Sequence, residues 1–69
     1  MEDLTDKQKE CLIIINLLTK AKGYAPTIRE ICKEMNVNSS ATVYTHLKKL
    51  REKGYIIWKE KEKRTIKLV

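Results

Sequence analysis

Several residue types are scarce in this chain of 69 residues: it has no phenylalanine, one proline, one histidine, two glycines and two cysteines. Because proline and glycine interrupt helices, their scarcity favours a mostly helical fold. The longest purely apolar run, Cys11 to Ile15, is far shorter than the roughly 20 residues that cross a bilayer, so we expect no membrane partner. The features of a secretory signal are missing as well, and a cytoplasmic protein is expected.

Residues suited to catalysis or metal binding are also few. The single histidine, His46, does not fall at zinc-site spacing with Cys11 or Cys32, and no Ser-His-acid set can be assembled around it. Both cysteines fall on apolar helix faces, so we expect them to be buried small hydrophobic side chains and not a disulfide. A chain this short buries only about 60% of its unfolded surface, which leaves little room for a catalytic cavity. We therefore expect neither an enzyme nor a cofactor.

Acidic residues are fewer than basic residues in this chain. Fifteen lysines and arginines against nine acidic residues give a net charge of +6, and the isoelectric point is about 9.5. In so small a chain this excess suggests a polyanionic partner, of which nucleic acid is the commonest. A solvated, lysine-rich surface explains the same charge equally well, so charge alone does not decide between the two.

Two capping-box sequences predict helix starts, Thr5-Asp6-Lys7-Gln8 and Thr27-Ile28-Arg29-Glu30. Each is followed by an apolar stripe at helical spacing. The first stripe comprises Cys11, Ile14, Ile15 and Leu18, widened by Leu17 and Ala21, and the second comprises Ile28, Ile31, Cys32 and Met35. Gly23 is expected to end the first helix, and Asn36 to adopt a left-handed conformation after the second.

A third helix and a hairpin complete the predicted fold. Asn38, Ser39 and Ser40 offer N-cap oxygens, and the apolar side of this helix is Val43, Leu47 and Leu50. After Gly54, two β-prone segments, 55–58 and 65–69, are expected to pair across a charged turn of about five residues within Lys59 to Arg64. The hairpin would bury Ile56, Trp58, Ile66 and Leu68, and a short strand near Tyr24 and Ala25 could add a third strand.

The outward side of the third helix changes character along its length. With Val43 facing inward and about 100° per residue, this side carries Ala41, Thr45, Lys48 and Glu52, flanked by Thr42, Lys49 and His46 on one edge and by Tyr44 and Arg51 on the other. Small residues at its start would approach base edges in the major groove, and the later cations would meet phosphates. An ordinary solvated helix surface is the competing interpretation, although it would usually carry Glu and Lys throughout.

These residues resemble a known family. The segments Leu4-Thr5-x-x-Gln8, Gly23-Tyr24-x-Pro26-Thr27-x-Arg29-Glu30-Ile31, Ser39-Ser40-x-Thr42-Val43-x-x-His46-Leu47-x-x-Leu50 and Lys53-Gly54-x-Ile56 are similar to the N-terminal domain of the LexA repressor, most strongly to versions from Gram-positive bacteria. The resemblance implies one winged helix-turn-helix domain over residues 1–69, mostly α with a small β-hairpin. It further implies a repressor of DNA-damage (SOS) genes that binds a palindromic operator in double-stranded DNA as a dimer, in the bacterial nucleoid.

Site residues follow by position. The resemblance implies that the bases are read by Ser39, Thr42, Tyr44, Thr45 and His46, with Ser40, Lys48 and Lys49 near phosphates. Further phosphate contacts are expected from Thr27, Arg29, Lys53, Lys63 and Arg64, although a solvated hairpin tip explains the charged turn equally well. Position 41 is Ala here, whereas some family members have a polar residue, and Tyr44 differs from many members, so the operator sequence is not predicted.

Two alternatives remain open. The family carries a C-terminal domain that dimerises and cleaves its own chain with a Ser-Lys dyad, whereas this sequence ends at Val69, where the hinge would begin. We therefore favour an excised DNA-binding domain without self-cleavage over a natural short regulator unrelated to the SOS response. The second alternative is a winged-helix protein-interaction module, in which Leu12 and Ile13, off the main stripe of the first helix, would form a contact patch.

Overall fold

The computed structural model describes residues 4–69. Three helices, α1 (Asp6–Lys22), α2 (Ile28–Met35) and α3 (Ser40–Glu52), precede two strands, β1 (Ile56–Ile57) and β2 (Lys67–Leu68). The strands pair antiparallel, with Ile56 opposite Leu68. This order confirms a mostly helical winged helix-turn-helix, in which the wing consists of β1, β2 and the loop 58–66. None of the helices within 4–69 has the length and apolar character needed to cross a bilayer.

Both predicted capping boxes form. The Thr5 hydroxyl accepts from the Gln8 amide, and the Gln8 side chain accepts from the Thr5 amide, each over 3.1 Å. Thr27 and Glu30 repeat this exchange at the start of α2, over 3.2 and 2.8 Å. Each box satisfies two amides that the first helical turn leaves without a backbone partner. The starts of α1 and α2 are therefore determined by local sequence.

The helix ends also follow the sequence, but α3 starts differently. Gly23 (φ 77°) and Asn36 (φ 57°) adopt the predicted left-handed conformation after α1 and α2. Ser39 occupies the N-cap position of α3, yet its hydroxyl makes no cap hydrogen bond. The predicted N-cap residue is thus in place, while its side-chain oxygen is not used to hold the helix.

The core lies where the three helices meet the wing. Val43, Leu47 and Leu50 are fully buried, as predicted. The other buried apolar side chains of this cluster are Cys11, Ile15, Leu18, Ile31, Met35, Ile56, Trp58 and Ile66. The expectation that Leu17 and Ala21 widen the α1 stripe is wrong: Leu17 is 58% exposed and Ala21 is exposed. Leu17 lies about 200° around the helix from the buried Ile15, on the outward side of α1.

The two cysteines differ in burial. Cys11 is fully buried in the core, as predicted, whereas Cys32 is only half-buried against it. Both are free thiols. Burial raises the pKa of the Cys11 thiol to about 11, so this side chain stays protonated and packs as a small apolar group.

The wing pairs far less than the sequence suggested. Each strand has two residues, and the connection runs from 58 to 66 instead of forming a turn of about five residues. The Thr65 hydroxyl donates to the carbonyls of Lys59 and Glu62 and accepts from the Lys59 amide, so side-chain bonds replace ladder bonds in this loop. Contrary to expectation, Leu68 is 40% exposed.

The suggested third strand near Tyr24 and Ala25 is wrong. Within residues 4–69 the sheet has two strands. The Ala25 carbonyl instead accepts from the guanidinium of Arg64, over 3.0 Å. A side-chain donor from the wing therefore takes the place that a strand partner would occupy.

Candidate nucleic-acid interface

The N-terminal half of α3 presents small hydroxyl side chains to solvent. Ser39, Ser40, Thr42 and Thr45 are exposed, and His46 is half-buried beside them. The Thr45 hydroxyl donates to the Ala41 carbonyl over 3.0 Å, which leaves its oxygen available as an acceptor. Because Val43, Leu47 and Leu50 face the core, Ser39, Thr42 and Thr45 are open to solvent, whereas the half-buried His46 and Tyr44 lie at opposite edges of the helix.

The cations of α3 are not equivalent. Lys48 is exposed on the outward side, and Lys49 forms a solvent-exposed pair with Glu52 over 3.7 Å. Such a pair contributes little stability, so both ammonium groups are accessible to phosphate. Lys53 points the other way: its Nζ donates to the side-chain oxygen of Gln8, over 3.0 Å. Lys53 therefore bridges the end of α3 and the start of α1.

Tyr44 lies between α3 and the wing. Its hydroxyl donates to the Glu60 carboxylate, which also accepts from the guanidinium of Arg51. The hydrogen bond between Tyr44 and Glu60 raises the pKa of the phenol, and it lowers the pKa of the carboxyl together with Arg51. We refer to Tyr44, Arg51, Trp58 and Glu60 as the wing clamp.

Trp58 is the buried base of the wing clamp. The Tyr44 ring meets it edge-on, with the centroids 5.2 Å apart and the planes at 75°. The Arg51 guanidinium lies over the same indole, 5.1 Å from its centroid, and donates to the Trp58 carbonyl over 3.3 Å. In the sequence, Glu60 is only one member of the charged turn within Lys59 to Arg64. The helical period places Tyr44 and Arg51 on one helix edge, but it does not predict their common contact with Glu60.

Arg64 joins the wing to the connection between α1 and α2. Its guanidinium donates to the Glu30 carboxylate and lies 4.6 Å from the centroid of the Tyr24 ring. Glu30 also accepts from Lys22, over 2.8 Å. The hydrogen bond from Lys22, assisted by the Thr27 backbone and by Arg64, lowers the pKa of Glu30 to about 2. Arg64 is thus already paired within the molecule.

A groove of about 570 Å³ separates the start of α2 from the wing. Thr27 and Arg29 line it on the α2 side, and Lys63 and Arg64 on the wing side. The structure therefore brings four predicted phosphate-contact residues together around one groove, which Glu60 and Glu62 also line. Across residues 4–69, no group of three or more His, Cys, Asp or Glu side chains could hold a metal ion.

Comparison with known proteins gives one consistent result. Residues 1–65 match the model of the LexA DNA binding domain family. The chain is 43% identical over 68 residues to the LexA repressor of Caldicellulosiruptor saccharolyticus, an alignment that covers 99% of this chain and 34% of that protein. It is 48% identical over 56 residues to the LexA repressor of Bacillus mycoides, covering 81% and 28%. The chain thus spans about a third or less of the length of these curated relatives.

Proposed function

The chain belongs to the LexA DNA-binding domain family, and from that premise we propose that it represses transcription by reading a palindromic operator through α3 in the major groove. Its partner is double-stranded DNA, its place of action the bacterial nucleoid in the cytoplasm, and the genes it represses those of the DNA-damage (SOS) response. The role is binding, not catalysis.

One observation carries this proposal: the start of α3 is open and lined with hydroxyl groups, while its opposite side is fully buried. Ser39 and Thr42 are exposed, and the Ser39 hydroxyl is not used as a helix cap. Serine and threonine hydroxyls can donate to or accept from any base, and the threonine methyl can contact the thymine methyl. A helix placed in this way can enter the groove by its N-terminal end.

The accessibility of each side chain decides whether it is proposed to contact bases or phosphates. Base contacts come from Ser39, Thr42, Thr45 and His46, with Tyr44 at the edge that faces the wing. Phosphate contacts come from Ser40, Lys48 and Lys49 on α3, and from Thr27, Arg29 and Lys63 across the groove. Arg64 and Lys53 reach phosphate only if they share or release the partners that they have within the molecule.

The operator is expected to be symmetric. Two copies, each on one half-site, would lie on the duplex with a spacing of about 10 bp or a multiple of it. One copy alone covers one half-site and lacks the gain in affinity that comes from linking two modules. We therefore expect modest affinity for a single half-site and tighter binding to an inverted repeat.

Selection of bound sequences from a random pool of duplex DNA tests the proposal. The 69-residue chain should enrich an inverted repeat, and sedimentation with the enriched duplex should show two copies per duplex. Unchanged pool composition after repeated rounds would contradict sequence-specific binding. Absence of any gel retardation on random DNA at low salt would contradict DNA binding altogether.

The second candidate function, a protein-interaction module, draws on the apolar surface of α1. Leu12 packs against the core, but Ile13 and Leu17 are each 58% exposed on the outer side of the helix. This patch lies on α1 and not on α3. Protein binding through this patch is favoured over DNA binding only if the chain does not retard random DNA at low salt.

A further inference from the structure

Glu60 is an acidic side chain on the surface proposed to face DNA, and both of its carboxylate oxygens are used by α3. One oxygen accepts from the Tyr44 hydroxyl and the other from the Arg51 guanidinium. A carboxylate close to phosphates ordinarily weakens DNA binding by repulsion. Its place in the wing clamp indicates that it holds α3 residues in position.

The wing clamp restrains Tyr44 at two points and Arg51 at three. The Tyr44 ring packs edge-on against the buried Trp58 while its hydroxyl is bound by Glu60. The Arg51 guanidinium lies over the same indole while it donates to Glu60 and to the Trp58 carbonyl. Since β1 and β2 pair through only two residue positions, the strand ladder alone offers little to fix the wing loop beside α3.

Charge adds to this restraint. The side chain of Glu60 is 32% exposed and that of Arg51 is 35% exposed, so the pair lies at the rim and not in the core. Lys48, whose Nζ is 5.8 Å from the Tyr44 ring centroid, also helps to keep the pKa of Glu60 low. Glu60 is therefore ionised at neutral pH and offsets the charge of Arg51, which would otherwise attract phosphate.

We propose that Glu60 is a positioning residue that sets the DNA specificity of this domain. By holding the Tyr44 hydroxyl and the Arg51 guanidinium against the wing, it fixes which base edge Tyr44 can approach and withholds Arg51 from the phosphates. Loss of the carboxylate frees both side chains, so affinity for arbitrary DNA rises while discrimination falls. This inference rests on the proposed function of α3.

The chain supplies a matched control for the charge itself. Glu62 lies in the same loop, and its 62% exposed carboxylate pairs with Lys59 of that loop over 3.9 Å. Glu62→Gln therefore removes the same charge as Glu60→Gln without disturbing Tyr44 or Arg51. Glu60→Asp is the complementary variant, since it keeps the charge but shortens the reach by one methylene.

The experiment measures affinity for two duplexes by fluorescence anisotropy: the sequence that the wild-type chain selects, and a scrambled duplex of equal length. Glu62→Gln should raise both affinities by the same factor. The ratio of the affinity for the selected duplex to the affinity for the scrambled duplex should then stay unchanged. Glu60→Gln should lower that ratio about tenfold, mostly through tighter binding of the scrambled duplex. Glu60→Asp should lower the ratio as well, whereas a purely repulsive role would leave it at the wild-type value.

Each outcome bears on one claim. Equal ratios for Glu60→Gln and Glu62→Gln overturn the role of Glu60, and failure of the wild-type chain to select any sequence overturns the proposed function instead. If Glu60→Gln does not fold, as judged from the Trp58 fluorescence, Tyr44→Phe tests the same contact by removing only the hydroxyl. An unchanged ratio in Tyr44→Phe then overturns the inference.

Discussion

The Arg64 guanidinium in the wing donates to the Glu30 carboxylate at the start of α2, with 3.1 Å between Nη1 and Oε1. The two residues are 34 positions apart in the chain, and Glu30 also forms part of the α2 capping box. The wing is thereby attached to the helical body at a second place, in addition to the wing clamp. The position of the wing depends on the side-chain contacts of Glu60 and Arg64 more than on its short strands.

Replacement of Arg64 should release one attachment of the wing. Arg64→Ala removes the bond to Ala25, the pair with Glu30 and the contact with Tyr24, and we expect a loss of about 1 kcal/mol in the free energy of unfolding. Alanine and arginine are both strained at the φ of 58° found here, so the backbone contribution cancels. Urea denaturation measures the effect. Lys63→Ala, in the same loop, serves as the control, and an equal loss in that variant would contradict the attachment.

Acid should weaken the fold through Glu30. The pKa of this carboxyl falls from an ordinary value of 4.5 to about 2, chiefly through the hydrogen bond from Lys22. The ionised form therefore favours the folded state, so its contribution is complete above about pH 4.5 and is lost as the pH falls towards 2. Unfolding midpoints measured across this window should show less pH dependence in Glu30→Gln than in the wild type. If the unfolding midpoints of the two proteins changed in parallel with pH, the lowered pKa of Glu30 would be contradicted.

Truncation of two helical leucines should reduce the free energy of unfolding by very different amounts. Leu47→Ala empties a fully buried site, which typically costs about 2–5 kcal/mol and can unfold so small a domain. Leu17→Ala, at a position 58% exposed, should cost about 0.5 kcal/mol or less. Circular dichroism during urea titration distinguishes the two. A large loss in Leu17→Ala would mean that another surface covers this side of α1.

The proposed base contacts and the proposed phosphate contacts should differ in their effect on specificity. Thr45→Ala or His46→Ala should cost about 1–3 kcal/mol on the selected duplex and little on random DNA. Lys48→Ala should weaken binding to all sequences alike and reduce the slope of log affinity against log salt by about 0.9. Titrations at several salt concentrations provide the comparison. Identical behaviour of the two classes on both duplexes would refute the assignment.

Sequence reasoning succeeded where the signal is local. The Thr5 and Thr27 boxes and the left-handed Asn36 each depend on residues within one helical turn, so they can be predicted without knowledge of the rest of the fold. The open side of α3 follows from its period and from the burial of Val43 and Leu47.

The remaining features depend on tertiary placement. Leu17 is apolar, but it lies on the outward side of α1. In the wing, the Thr65 hydroxyl binds the Lys59 carbonyl, and the Arg64 guanidinium binds the carbonyl of Ala25, 39 positions away in the chain. Tyr44 reaches Glu60 across 16 positions of sequence, a contact that becomes visible only once the wing lies against α3.

The buried Gln8 links two helix ends that are distant in sequence. Its side-chain oxygen receives the Thr5 amide, which completes the α1 cap, and also the ammonium of Lys53 just after α3. Fraying of either helix end therefore breaks the hydrogen bond between Lys53 and Gln8, which joins the two ends. We therefore expect amide hydrogens in the first turn of α1 and the last turn of α3 to exchange with solvent in a shared opening event, so that the end of α3 and the start of α1 open together.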